Sequence, residues 1–392
     1  MKVKLFYMML FGACLASCSS VEVISLETGD TFSKDGIGYV LIDNSQKNQT
    51  VEAVSCGGGD VVIPSTVEYG GKTYQVESVD LQADQPVTSL TLCEGIRSLE
   101  KIADGVGGSN IRKLVLPESM MNVGEYGTTD EPGQFHLNVD CLEVIDVADD
   151  NPMYGCGDRK NVLIYKPSQS LIMGNSSAYI PKGVRKICGG AFCWSEQYDK
   201  PVAIDIPEGV DTIEYEAFKA PIISSIRIPS SVTSVLEGAF NGDHLQSLVI
   251  EDSSEQLHFH SRYGMYARCI VPYSYMVDTS LNLDEVYVGR NTQLFVLNAF
   301  APSETMKLKT LTIGPKVTSL NWMTYEEWTN SRWSVDTIVC HIEHPDEVYP
   351  RFPEAVFKNT ILIVPTGTKQ LYQSAEGWKD FSVIMENKTS CS

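Results

Sequence analysis

The sequence predicts a mainly β solenoid with short helices, in which parallel strands stack one per repeat, and two recurring phrases carry that expectation. The first runs from Ile180-Pro181-Lys182-Gly183-Val184 through Ile187 to Ala191-Phe192. It returns as Ile206-Pro207-Glu208-Gly209-Val210, Ile213 and Ala217-Phe218, and again as Ile228-Pro229-Ser230-Ser231-Val232, Val235 and Ala239-Phe240. Proline to phenylalanine is eleven residues in all three, and the unit restarts after 26 and then 22 residues. A fixed period of this size marks a repeat architecture, in which each unit buries its apolar face only against its neighbours. Ordinary sandwich strands would not share that interval.

The second phrase places apolar residues at alternate positions near its end. It reads Val87-Thr-Ser-Leu-Thr-Leu92, Ile111-Arg-Lys-Leu-Val-Leu116, Ile223-Ser-Ser-Ile-Arg-Ile228 and Leu245-Gln-Ser-Leu-Val-Ile250. It continues as Leu283 to Val288, Leu308 to Ile313 and Val335 to Cys340. Period two puts Ile226 and Ile228 on one face and Arg227 on the other, the signature of a half-buried strand. Pro117, Pro207 and Pro229 follow such strands; lacking an N–H and forcing the preceding residue extended, proline closes the strand and opens a corner. The Val-x-x-Ile segment then returns along the opposite side, and Phe192, Phe218, Phe240 and Phe300 stack in the wide corner. The expected fold is therefore a right-handed leucine-rich-repeat solenoid with irregular insertions over 81–350. Residues 36–80 supply capping strands and the first repeat, and 351–392 supply a C-terminal cap. A solenoid needs such covers over its apolar ends; Thr366 to Ala375 reads as a short helix, with Gly377 to stop it and Trp378 and Phe381 to cover the last coil.

The first seventeen residues read as a signal peptide, with Lys2 and Lys4 ahead of an apolar run from Leu5 to Leu15 that is too short to span a bilayer. Leu15-Ala16-Ser17-Cys18 resembles a bacterial lipobox, which implies lipid attachment at Cys18, a tether over 18–35 and a place on the outer membrane, its face left open. The mature chain of about 375 residues would carry a formal charge of −22, against −20 for the whole. So acidic a surface disfavours nucleic acid and anionic lipid, leaving the N-terminal lipid as the membrane contact.

Ile-Pro-x-x-Val-x-x-Ile-x-x-x-Ala-Phe followed by Leu-x-x-Leu-x-Ile resembles the BspA-like leucine-rich-repeat family of bacterial surface proteins. Gly36-Ile37-Gly38-Tyr39 and Val61 to Tyr74 resemble the opening of members from gut Bacteroides. Val356 to Asn359, Val364 to Lys369 and Gly377 to Phe381 resemble their closing segment. The likeness is patchy over 118–175 and 252–300. It implies a non-enzymatic cell-surface protein that works in adhesion or protein binding. The alternative is a glycan-binding lipoprotein.

Chemistry-bearing motifs are sparse. Gly70-Gly71-Lys72-Thr73 lacks the upstream glycine of a phosphate loop, because Thr66 stands there, and it reads as a hairpin turn. His258-x-His260 points two ligands one way without supplying a third, and His341-x-x-His344 is no zinc motif, so neither a metal nor a cofactor is expected. No catalytic residue is assigned. Of the nine cysteines beyond Cys14 and Cys18, several fall on apolar repeat positions, where cysteine packs as a small hydrophobe. Three of the five tryptophans lie between Trp322 and Trp333. Trp322, Tyr325, Trp328 and Trp333 are the candidate ligand-binding residues for an extracellular protein or glycan, since such rings give large contact area at modest entropy cost.

Overall fold

The computed structural model describes residues 26–45, 48–104, 111–124, 142–175, 177–192, 201–219, 222–241, 244–260, 270–271, 280–292, 305–320, 332–350 and 352–387. All seven strand phrases form strands. Gly59–Ile63, Val87–Leu92, Lys113–Leu116 and Val144–Val147 make a four-stranded parallel sheet. Val202–Asp205, Ile223–Ile228, Ser247–Ile250, Ser280–Val288, Thr305–Ile313, Arg332–Cys340, Ile361–Val364 and Val383–Glu386 make an eight-stranded parallel sheet in that order. Alternation decides the faces. Ile226, Leu248, Val286, Leu311, Ile338 and Leu362 stand in one register row, and all are buried.

The return segments form a second layer. Lys186–Ile187, Thr212–Ile213, Ser234–Leu236 and His258–His260 pair in parallel, and their buried members join the same continuous core as the large sheet. In the corner between the layers, Phe192 and Phe218 stack at 4.9 Å with planes 9° apart, and Phe218 and Phe240 at 5.3 Å and 7°. All three are fully buried. Phe300 lies outside the described residues.

The proline corners repeat with small changes. Gly209, with φ of 101°, takes the left-handed position of the Pro-Glu-Gly turn, which a side chain would strain. In the next coil Ser231 takes its place, accepting from Gly209 N at 3.0 Å and donating to Val210 O at 2.8 Å. Ser119 bridges Gly95 N and Ile96 O in the same manner, both at 2.8 Å. The coils are thus stitched by a serine as well as by strand ladders.

The patchy stretch before residue 175 has a physical explanation. Val162–Tyr165 and Ser170–Gly174 form an antiparallel hairpin inserted into the solenoid, and only its second strand continues in parallel with Lys186–Ile187. Asn151 fastens this insertion from a site 1% exposed. Its Nδ2 donates to the carbonyls of Pro117, Glu118 and Met120, and its Oδ1 accepts from the backbone of Met153 and Tyr154.

Both ends of the described solenoid are covered. Thr31–Lys34, inside the segment read as tether, is a strand pairing antiparallel with Ile37–Asn44, which pairs in turn with Gln49–Cys56. Phe32 explains why: its ring is buried and stacks 4.3 Å from Tyr69 and 5.4 Å from Tyr39. The Gly70-Gly71 pair is a hairpin turn, both residues at positive φ between Thr66–Tyr69 and Lys72–Ala83. At the far end the expected helix spans Lys369–Ser374. Trp378 is fully buried and donates Nε1 to Val348 O at 2.6 Å, and Tyr372 donates to Ile342 O at 2.6 Å. Cys56, Cys188 and Cys340 are buried as apolar side chains would be.

Candidate ligand-binding surface

The large sheet turns its other face outward, and register arranges that face in rows. One row runs Asp205, Arg227, Val249, Tyr287, Thr312, Val339, Ile363, Met385 across all eight strands. Two residues back lies Ala203, Ser225, Ser247, Glu285, Thr310, Thr337, Ile361, Val383. Every position is fixed by a main-chain ladder, so the surface is pre-organised, and binding to it sacrifices little backbone freedom.

The chemistry changes along the rows. At the Val202 end, the Arg227 guanidinium lies 3.2 Å from Asp205 and also pairs with Glu251. Next, Tyr287 donates its hydroxyl to Asp252 Oδ1 at 2.8 Å. Partial burial, reinforced by the Asp252 charge, pushes the Tyr287 hydroxyl up to about 12. Asp252 reaches this partner because Gly289 and Gly314, stacked in successive coils, leave room; a Cβ at Gly314 would lie 2.8 Å from its Oδ1. Behind the corner, fully buried Arg290 donates to Pro229 O at 2.7 Å and Ser230 O at 2.9 Å. Burial lowers its affinity for a proton, against the pull of Glu251 and Glu208. Further on, Lys309 is paired with Asp284 and flanked by Asp336, which raises its pKa.

Toward the C-terminal end the rows become apolar. Ile361, Val383 and Met385 are 39%, 43% and 46% exposed, with Val339 and Ile363 half-buried beside them. Sequence reasoning missed this patch. Its signal was present in Ile361-Leu-Ile-Val364 and Val383-Ile-Met385, where both parities are apolar; such strands are expected to be covered on both faces. Here one face is bare.

Of the residues chosen from sequence, Cys18, Trp322, Tyr325 and Trp328 lie outside the described residues. Trp333 is placed by its backbone: the strand begins at Arg332, three residues earlier than the phrase suggested, and puts Trp333 in register with Met306. The position therefore belongs to the large sheet rather than to an irregular insertion. A separate cleft of about 360 Å³ lies among the N-terminal strands, lined by Lys34, Asp35, Tyr39, Val62 and Glu68. Among the described residues, no three His, Cys, Asp or Glu side chains group as a metal site. Nor is any helix there long and apolar enough to cross a membrane.

Comparison with known proteins agrees with the repeat. Residues 174–266 match the BspA type leucine-rich repeat region, in six copies. No curated protein matches the chain. Among solved structures, the pneumococcal vaccine antigen PcpA is similar at 16% identity and a TM-score of 0.34, covering 93% of this chain and 100% of that one. A leucine-rich cell surface protein from Faecalibacterium prausnitzii gives 15% identity, a TM-score of 0.25, and coverage of 93% and 96%. A leucine-rich repeat protein from Bacteroides ovatus gives 11%, 0.27, and coverage of 91% and 100%.

Proposed function

We propose, for a chain whose residues 174–266 match the BspA type leucine-rich repeat region, that it is a non-enzymatic lipoprotein of the cell envelope. Its outward sheet face binds an extracellular protein. The observation that supports this most is the exposed patch of Ile361, Val383 and Met385, continuous in register with the polar and charged rows. An apolar patch beside polar groups on a rigid frame has the composition of a protein-binding surface, where a few desolvated residues carry most of the energy. Lipid at Cys18 would hold the solenoid at the outer membrane. Trp333 remains a candidate contact, because its strand lies beside the one carrying Ile361 and Ile363; Trp322, Tyr325 and Trp328 are proposed with it from the sequence alone.

The test is capture by immobilised extracellular-matrix proteins beside a glycan array, using wild type and an Ile361→Glu/Met385→Glu variant. Both side chains are substantially exposed, so melting should shift by no more than about 1 kcal/mol equivalent. Protein capture lost in that variant, with melting retained, supports the reading. Capture by glycans alone would replace it with the sugar-binding alternative.

A further inference from the structure

His258 and His260 occupy alternate positions of the strand His258–His260, so both rings leave the same side of that strand. Phe259 between them is 3% exposed and joins the core, which fixes the histidine pair on the outer side of the second layer. The ring centroids are 6.0 Å apart and the planes lie 23° from parallel. His260 is exposed and His258 half-buried. Among the described residues, each imidazole packs beside the other and neither carries a side-chain hydrogen bond.

We propose that His258 and His260 form a two-point chelate for a divalent transition-metal ion of the zinc class. Imidazole nitrogen suits Zn²⁺, Cu²⁺ and Ni²⁺, whereas Ca²⁺ and Mg²⁺ prefer oxygen. With metal–nitrogen bonds of about 2.0–2.1 Å, two imidazoles on one tetrahedral ion have centroids about 5 Å apart. Chelation requires side-chain rotation that turns one nitrogen of each ring toward a shared point, while the strand stays in place. The alternation that presents both rings is held by the parallel ladder to Ser234–Leu236, so the backbone that carries the pair is pre-organised. A net charge of −20 raises the local concentration of divalent cations around the whole molecule. Two protein ligands leave the other half of the coordination shell to water or to a donor on a bound partner. The strand lies in the second layer, so this site is separate from the outward face of the large sheet.

The test is a calorimetric Zn²⁺ titration of the full chain, read alongside histidine-ring NMR, for wild type, His260→Gln and the His258→Gln/His260→Gln double variant. Expected are one saturable site, shifts in both rings, and loss of about tenfold or more in affinity from His260→Gln alone, at least the loss typical of a disturbed outer shell. The double variant should abolish binding, while His341→Gln leaves it unchanged. His260 is exposed, so its variant should keep the wild-type melting profile and separate ligand loss from misfolding. Wild-type affinity in His260→Gln, or no saturable Zn²⁺ binding in the unmodified chain, would overturn the proposal.

Discussion

The ring of Phe192 lies on the Cα of Gly174, which holds the phenylalanine position of the preceding coil. Backbone pairing establishes the equivalence: Gly174 donates to Ala191 O as Phe192 donates to Ala217 O and Phe218 to Ala239 O. A Cβ at Gly174 would sit 2.7 Å from Phe192 Cζ and collide with Cε1. The aromatic column therefore ends at Gly174, because the Phe192 ring already fills the space that a side chain there would take. Gly174→Ala should destabilise by about 1–3 kcal/mol through overpacking. Adding Phe192→Leu should recover part of that loss in a denaturant double-mutant cycle; strict additivity would show that the two positions do not touch.

Along the column, Phe218 is sandwiched between two rings and fully buried. Phe218→Ala should cost about 3–5 kcal/mol, the range for deleting a core aromatic. Arg227 projects outward one coil on, its ion pair with Asp205 exposed and its Glu251 partner half-buried. Arg227→Ala should cost less than about 1 kcal/mol. Similar shifts in the two melts would refute the register.

The strand phrases, the return segments and the phenylalanine column were legible because each rests on spacing, and spacing is what a ladder enforces. The inserted hairpin was not. Val162 to Tyr165 and Ser170 to Gly174 are apolar at both parities, and nothing in such a run reveals whether its neighbour is parallel or antiparallel. Asn151 was also invisible, since a lone asparagine near a proline reads as an ordinary turn residue. The candidate surface was half legible. Arg227 and Tyr287 follow from alternation, but the bare face of Ile361 and Met385 looks, in sequence, like a strand covered on both sides.

Asn151 offers a direct test of how the hairpin is held. Its amide satisfies three carbonyls and two backbone N–H groups at once. Asn151→Leu, similar in volume but unable to bond, strands those groups in a buried corner. Each stranded group costs about 1–3 kcal/mol, so the loss should reach at least about 3 kcal/mol even after relaxation. Hydrogen exchange should rise first at Tyr154 and Met153. Unchanged protection there would mean that the insertion is fastened elsewhere.

Alkaline pH should expose the buried acids. Burial pushes the Cys340 thiol from 9.0 up to about 11, and the Tyr287 hydroxyl moves from 10.0 up to about 12, as does that of Tyr154. In each case the folded protein holds its proton more tightly than the unfolded chain. The stabilisation is fully present below the unfolded value and is lost as pH rises through the folded one. Stability should thus fall from about pH 9 and steepen to about pH 12. Tyr287→Phe should start lower at neutral pH, by about 1 kcal/mol for its lost hydrogen bond. The gap to wild type should narrow above pH 10; a gap that stays constant to pH 12 would mean that Tyr287 titrates alike in both states.

The anchor can be separated from the fold. The first described residue, Leu26, is already buried, and its carbonyl accepts from Asn44 Nδ2. Cys18 lies eight residues before this point, so its replacement should leave the solenoid's melting curve intact. Cys18→Ala should nonetheless abolish acyl labelling and shift the chain from the membrane to the soluble fraction. Each buried methylene of an acyl chain contributes about 0.8 kcal/mol, so losing a multiply acylated terminus removes nearly all membrane affinity. Expression in a bacterial host with labelled palmitate, followed by fractionation and melting, reads both effects. If Cys18→Ala keeps its label and its membrane partitioning, the lipid sits elsewhere and the lipobox reading is wrong. If it loses both but also melts early, residues before Leu26 contribute to the fold, and the solenoid is not independent of its tether.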